Sequence, residues 1–371
     1  VGVAYKLVRA LEARGLVPPG TAANQLPLVA LGTVADMMPL QDENRWLVRQ
    51  GLAAWPEAAP PGLVELARVA GVDGPPSSAT LAFSLAPRIN AAGRMDDAWL
   101  ALRCCLATDP AEAREAATRL EALNQTRRTA VTMAMALAHL AVEEMPDELP
   151  VIVFGSPEIS PGVVGLVAGR LADEFGRPAF IYSQTGERWR GSARGVPGLN
   201  VVEALRRCSA QLLSYGGHLS AGGFSLEPDP AVAERFEDEL REAVQVQLGA
   251  RSPLRSFRVD AVVGLRECGL ELAEELLLLQ PCGSGNPAVL LCASGLTVVR
   301  TEALGKTGGH LKVILSDGRA TAEAISFSRP HLRAHLPAGR QVDALFELEI
   351  DRFRGRRQAR LLLRDLRPAR G

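Results

Sequence analysis

The chain has 371 residues, 47% of them hydrophobic and 22% charged, and carries a net charge of −1. That length exceeds one ordinary core and predicts two or three globular domains. The balanced charge excludes a global pull toward nucleic acid or a membrane surface, and an aromatic content of 5% leaves any base-stacking surface sparse.

The chain opens at Val1 inside a helix-like pattern (Val3, Leu7, Leu11), which predicts further residues upstream of Val1. Residues 1–107 read as alternating α/β pieces. Leu26 to Val34 is an apolar run ending in Ala35-Asp36, predicted as a buried strand with a carboxylate at its C-terminal edge. Asp42 to Leu52 predicts a helix, and Pro56–Pro61 and Gly71–Ser78 predict breaks. Ala86 to Met95 reads as a loop bounded by Pro87 and Gly93. Asp109-Pro110 then opens a run of helix formers to about Glu144, free of internal Gly and Pro. A helix of that length is a rod of roughly 50 Å.

A second α/β region follows over 151–250, with strands at Val151–Phe154 and Pro178–Tyr182 and helices at Gly162–Phe175 and Val201–Ser209. From 251 onward a helix is predicted at Leu270–Leu279. Strands follow at Leu296–Arg300, His310–Leu315, Ala320–Phe327, Val342–Asp351 and Gln358–Leu363. Five short strands with polar turns suit a small closed barrel of the OB type. The six cysteines (104, 105, 208, 268, 282, 292) form no Cys-x-x-Cys pair, the pattern of a reduced cytoplasmic protein. No signal peptide and no apolar run long enough to span a membrane is predicted.

Three segments carry candidate chemistry. Gly191-Ser192-Ala193-Arg194, Tyr215-Gly216-Gly217-His218 and Ala221-Gly222-Gly223 combine a hydroxyl, a guanidinium, an imidazole and bare glycine backbone. Arginine offers a fixed fork of donors to phosphate oxygens, and glycine lets backbone N–H groups approach an anion. Arg88, Asn90 and Arg94 put three phosphate-suited side chains within seven residues, against the plainer reading of an exposed turn paired with Asp96 and Asp97. Pro161-Gly162 is either ordinary helix-start chemistry or an anion-ready helix end. Asp36 taken alone is a turn or capping residue, because a hard divalent cation needs several carboxylates. Eight Arg against two Asp between Asp351 and Gly371 make the C-terminus basic, with exposed arginine at a hairpin turn as the plain explanation.

The segments ALGTVADMMPLQDENRWLVRQGL, LAPRINAAGRMDDA, SPGVVGLVAGRLADEFGRPAFI, GSARGVPGLNVVEAL, YGGHLSAGGFSL and LQPCGSGNP occur in this order. On these segments the chain resembles the RecJ family of single-strand-specific exonucleases in the DHH phosphoesterase superfamily, over nearly its whole length. The resemblance implies an α/β protein in four parts. These are the C-terminal part of a DHH domain (1–107), a connecting helix (108–148), a DHH-associated domain (149–250) and an OB domain (251–371). It implies 5′-to-3′ hydrolysis of single-stranded DNA with two Mn²⁺ or Mg²⁺ ions, in DNA repair and recombination.

By the same resemblance Asp36 becomes a metal ligand, and Arg94 and His218 act at the scissile phosphate. Ser192 and Arg194 hold the terminal 5′ phosphate, while Gly216, Gly217, Arg88 and Asn90 contact DNA phosphate. A monomer acting on single-stranded DNA is expected, with a single-stranded-DNA-binding protein as a candidate partner and no membrane. The family's Asp-x-Asp and Asp-His-His motifs are absent, and all five His (139, 218, 310, 331, 335) stand isolated. The missing motifs are expected upstream of Val1, and the 371 residues alone are expected to be inactive. The alternatives are a superfamily phosphodiesterase acting on short oligonucleotides or cyclic dinucleotides, and a non-catalytic single-strand-binding relative.

Overall fold

In the computed structural model, residues 1–146, 149–249, 256–305, 309–327, 330–351 and 357–369 are described below. They divide into two compact units. One comprises Val1–Ala59, Asp73–Phe83 and Phe257–Gly371; the other comprises Pro60–Val72 and Ser84–Ser256.

The first unit begins with helices α1 (Gly2–Ala13), α2 (Thr21–Asn24), α3 (Leu26–Ala35), α4 (Asp42–Ala53) and α5 (Trp55–Ala58). Residues 1–107 contain no strand, so the expected alternation of α and β is overturned here. Leu26–Val34 is helix α3, not a buried strand. Pro27 sits in its first turn, where a missing N–H is harmless. Leu26, Val29, Ala30, Leu31 and Thr33 are buried around the helix. A helix apolar on all sides loses its 3.6-residue signature and reads like a core strand. The predicted Pro-rich break at 56–61 is the joint between α5 and the helix α6 (Pro61–Val69) of the second unit, with proline in the first turn of each.

The second unit continues after the short helix α7 (Ser78–Thr80) of the first, with α8 (Ala86–Met95), α9 (Trp99–Leu106) and α10 (Pro110–Glu144). The Arg88–Arg94 segment is thus helix α8 instead of a loop. Pro87 occupies the first turn, and Gly93 is carried within the helix. Helix α10 runs for 35 residues from an Asp109 side chain that accepts from the Ala111 and Glu112 amides, in line with the Asp-Pro signal. Gly62 of α6 lies so close to the Cys104 carbonyl of α9 that any Cβ there would collide with it.

A five-stranded sheet follows, built from β1 (Ile152–Ser156), β2 (Ala179–Ser183), β3 (Trp189–Arg194), β4 (Ser214–His218) and β5 (Ala221–Leu226), in the order β1-β2-β3-β5-β4. Only β1 and β2 are parallel. The later half of α10 and α11 (Val164–Phe175) bury Val131, Ala138, Val167 and Leu171 with Ile152 and Ile181. Helices α12 (Val201–Arg207) and α13 (Pro230–Leu248) bury Leu205, Phe236 and Leu240 with Phe180, Ala193 and Phe224.

The C-terminal part of the first unit adds β6 (Ala261–Val262), α14 (Leu270–Leu277), β7 (Leu291–Leu304), β8 (His310–Ser316), β9 (Thr321–Ser326), β10 (Gln341–Asp351) and β11 (Gln358–Pro368). Strands β7-β8-β9-β11-β10 pair in that order and β10 returns to β7, closing the five-stranded barrel that the strand pattern predicts. Register shifts at Val298/Arg300, Val342/Ala344 and Leu345/Phe346 bend β7 and β10 enough to close it. Each predicted strand matches one of β7 to β11.

Burial keeps several thiols protonated. Cys104 and Cys208 are pushed up to about 12, and Cys268 to about 11, each chiefly by burial. Their stabilising contribution is therefore complete below the ordinary thiol value of 9.0 and is lost as pH climbs toward those raised values. The urea midpoint should hold up to about pH 8 and fall between about pH 9 and pH 11. Replacing all three cysteines with Ala should flatten that fall, and an unchanged pH slope would contradict the assignment.

Candidate functional site

The three glycine-bearing motifs at 191–194, 215–218 and 221–223 lie on strands, and register decides where their side chains go. Ser192 pairs with Gly223 of β5, and Gly223 pairs with Gly216 of β4. Arg194 pairs with Ala221, and Ala221 with His218. Directly paired residues share a face of the sheet. Ser192, Arg194, Gly216, Gly223 and His218 therefore share one face, opposite the Ala193–Phe224 core. Two strand spacings of about 4.8 Å put the backbones of Arg194 and His218 roughly 10 Å apart.

Helix α11 covers β2 and β3 on that face and leaves the β5–β4 portion bare. A Cβ on Gly216 would meet nothing within 4 Å, and His218 is exposed on the edge strand. The result is a glycine floor of Gly223 and Gly216 beside Ser192, with only the Ala221 methyl between Arg194 and the His218 imidazole. Gly217 belongs to the other face. Its φ of 145° and a collision between any Cβ and the Ala221 carbonyl demand glycine. Gly222 likewise abuts Leu205 and Val201 of α12. Of the two motif glycines, only Gly216 is open on the Ser192 side.

Glycines also let α11 approach β3. A Cβ on Gly165 would stand 3.1 Å from Ser192 Oγ, and one on Gly169 would stand 3.9 Å from Arg194 Nε. Ser192 Oγ donates to the Gly222 carbonyl at 3.4 Å, and Arg194 Nη1 to the Ala193 carbonyl at 3.1 Å. Neither residue has a carboxylate partner in these bonds. The Pro161-Gly162 turn, with its two sequence readings, is a packing site. A Cβ on Gly162 would collide with the Arg94 carbonyl at the end of α8, and Arg94 Nη1 donates to the Gly162 carbonyl at 3.4 Å. Burial, then the charge of Arg194, holds the Arg94 guanidinium below its usual range. Arg94 thus belongs to the electrostatic neighbourhood of Arg194.

Arg88 is placed differently. Its side chain is 11% exposed, pairs with Glu121 of α10 and donates to the Ser84 carbonyl at 2.6 Å. It pins α8 to α10. Asn90 is exposed on α8. Asp36 lies in the first unit, exposed at the end of α3. Among the described residues no group of three or more His, Cys, Asp or Glu could hold a metal ion. One carboxylate does not fit a pair of divalent ions, so these residues do not hold such a pair by themselves.

Sequence reasoning missed what holds the loop after Asp36. Met37 and Asp42 take left-handed φ values of 53° and 44°. The turn Gln280–Asn286 grips the segment between them. The Leu40 amide donates to the Ser284 carbonyl at 2.6 Å and Gln41 Nε2 to the Gly285 carbonyl at 2.8 Å. Ser78 Oγ donates to the Cys282 carbonyl at 2.8 Å. A Cβ on Gly283 would stand only 2.8 Å from Leu40 Cδ1, and Gly285 has a φ of 70°. The glycine spacing in LQPCGSGNP was the available signal, and only its partner was illegible.

The C-terminal basic excess is neutralised where it is described. Arg364 donates twice to Glu347 at 2.7 and 2.8 Å, and Arg360 pairs with Glu349 and Asp351. Arg367 pairs with Asp343 and Arg357 with Glu274. Arg352, Arg354 and Arg356 of the predicted hairpin lie outside the described residues.

Replacing Gly165 with Val would drive a branched side chain against Ser192. Overpacking of this kind costs about 1–3 kcal/mol. The variant should melt earlier and bind a phosphate-ended strand about tenfold more weakly. Unchanged binding in a fluorescence titration would show that Ser192 does not touch the phosphate.

Residues 148–246 match the DHHA1 domain, and residues 259–365 match the RecJ OB domain. The chain is 31% identical over 368 residues to the single-stranded-DNA-specific exonuclease RecJ of Bacillus subtilis, covering 98% of this chain and 46% of that protein. It is 33% identical over 391 residues to the RecJ of Dickeya dadantii, covering 99% of this chain and 67% of that one. Crystal structures of RecJ from Thermus thermophilus in complex with Mg²⁺ and with Mn²⁺ match at TM-scores of 0.82 and 0.81, with 31% and 32% identity. Each match covers 97% of this chain, and 54% and 52% of the respective crystal chains. The chain thus spans about half the length of the first of these relatives and two thirds of the second. With both domain matches, the barrel and the sheet agreeing, the chain belongs to the RecJ family of single-stranded-DNA-specific exonucleases.

Proposed function

We propose that this chain serves a 5′-to-3′ exonuclease acting on single-stranded DNA, and that its second unit receives the 5′-terminal phosphate. The observation that carries this reading is the shared face of β3, β5 and β4. On it Ser192 and Arg194 stand beside a bare glycine floor with His218 at its rim. Arg194 and Ser192 hold the terminal phosphate by charge-assisted hydrogen bonds. Arg94 and His218 face the phosphate whose ester bond is cut and stabilise the charge that gathers on it. Gly216 lets the strand lie against the sheet, while Arg88 keeps α8, and with it Arg94, against α10. Asn90 contacts the sugar-phosphate backbone from the exposed side of α8.

Divalent ions supply the hydrolytic chemistry in this reading, and Asp36 is the residue of this chain that contributes a carboxylate to them. The same reading divides the chain into four parts, at 107, 148 and 250. The protein acts as a monomer in the cytoplasm, in DNA repair and recombination, with a single-stranded-DNA-binding protein as its partner. No described helix is long and apolar enough to cross a membrane.

Fluorescence anisotropy with 5′-phosphorylated and 5′-hydroxyl oligothymidylate tests the terminal-phosphate role on the 371-residue chain. Arg194→Ala should weaken the phosphorylated strand about ten- to a hundredfold, the worth of one charge-assisted bond, and leave the hydroxyl strand nearly unchanged. Equal losses on both strands would refute the assignment. Incubated with Mn²⁺ or Mg²⁺, the same chain should release no nucleotides, since its one candidate ligand does not hold an ion pair. Robust metal-dependent hydrolysis would overturn that expectation.

A further inference from the structure

The face of α10 toward α8 carries Glu121, Asn124 and Arg127 at three-residue intervals, a spacing that keeps all three on one side. Glu121 is matched by Arg88. Asn124 is 2% exposed and accepts from Arg127 Nη2 at 2.9 Å. Arg127 lies six residues beyond Glu121, as Arg94 lies six beyond Arg88. Here the charge matching stops. Among the described residues, Arg94, Arg127 and Arg194 donate to neutral oxygens: the Gly162 carbonyl, the Asn124 side-chain carbonyl and the Ala193 carbonyl. Arg127 Nε is buried with no hydrogen-bond acceptor among them. Arg241 and Arg360 also carry a buried Nε without an acceptor, but those guanidiniums pair with carboxylates through their other nitrogens, whereas the bond described for Arg127 goes to a neutral oxygen.

The electrostatics agree. Burial lowers the Arg127 pKa first, and the charges of Arg94, Arg170, Arg128 and Arg88 lower it further. Glu121 answers Arg88 alone. The guanidiniums of Arg94, Arg127 and Arg194, bonded to neutral oxygens, repel one another in a partly desolvated place, and an anion among them converts that repulsion into attraction. The planar fork of arginine fits a phosphate oxygen pair. The barrel provides the contrast, since its arginines on β11 are answered by acids on β10.

We propose that Arg127, next to Arg94, forms a second anion site that takes an internal phosphodiester of the DNA strand, separate from the terminal-phosphate pair Ser192 and Arg194. This inference rests on the reading of the β3–β4 face given above, because the two sites are successive stations of one strand. Arg127 binds without regard to what the 5′ end carries, whereas Arg194 distinguishes phosphate from hydroxyl.

The test is a salt titration of oligothymidylate binding, between about 50 and 300 mM KCl, with 5′-phosphorylated and 5′-hydroxyl strands. Arg127→Gln should weaken both strands by the same factor, about tenfold, and reduce the salt slope by about 0.7, the contribution of one single-strand phosphate. Arg127→Lys should restore the slope. Unchanged affinity and slope in Arg127→Gln would overturn the second site. The terminal-phosphate reading would then still stand if Arg194→Gln abolished the preference for a phosphorylated end. Conversely, an Arg127→Gln loss in a chain that shows no end preference would keep this site and sink the other. Should the glutamine variant fail to fold, the wild-type chain decides. Neutral methylphosphonates at the second and third internal positions should flatten the slope by a similar amount, and no change would overturn the proposal.

Discussion

The candidate site depends on strand register. Antiparallel pairing of β3 with β5, and of β5 with β4, fixes which side chains share a face, and side chains alternate with a period of two. A slip of one residue between β3 and β5 would turn Ser192 and Arg194 into the core now occupied by Ala193, Phe180 and Phe224. Burying a guanidinium there without a partner is prohibitive, so the hydrophobic pattern itself polices the register. Gly217 and Gly222 act in the same sense, because their backbones touch and α12 closes over them. The apolar face and the anion-facing side of the sheet are two outcomes of one pairing.

Legibility in the sequence followed the strength of the local signal. Helix α10 was readable because an Asp-Pro start and an unbroken run of helix formers left no competing pattern. The barrel was readable from strand alternation and turn residues. Helix α3 was not, since burial on all sides erases periodicity. Helix α8 was hidden by Pro87 and Gly93, which suggest a loop but here occupy tolerated helical positions. The chemistry of Ser192, Arg194 and His218 could be read from residue types. Their common face could not, because cross-strand pairing is a long-range property. The structural employment of Arg88 by Glu121 was equally invisible, as was the grip of the 280–286 turn on Leu40 and Gln41, a separation of 244 residues for the Gln41 contact.

Charge counted along the chain and charge met in space differ on β11. The C-terminal arginines look like a nucleic-acid surface when counted along the chain, yet each pairing seen on β11 has an acid across the strand on β10. Such partly exposed pairs contribute little stability individually, and among the described residues they offset the charge of Arg360, Arg364 and Arg367. In the second unit Arg88 is likewise answered by Glu121, but Arg94, Arg127 and Arg194 meet neutral oxygens. Local compensation, more than local abundance, separates an architectural arginine from one available to an anion.

The grip on the loop after Asp36 has a temporal side. Its backbone adopts a conformation that Met37 and Asp42 disfavour, and the restraining hydrogen bonds come from a segment synthesised far later. A ribosome that has delivered only the helical N-terminal part has made the carboxylate without the clasp that shapes its surroundings. Closing so long a loop is entropically late. The clasped geometry of the loop after Asp36 therefore requires the 280–286 turn to have been synthesised and docked first.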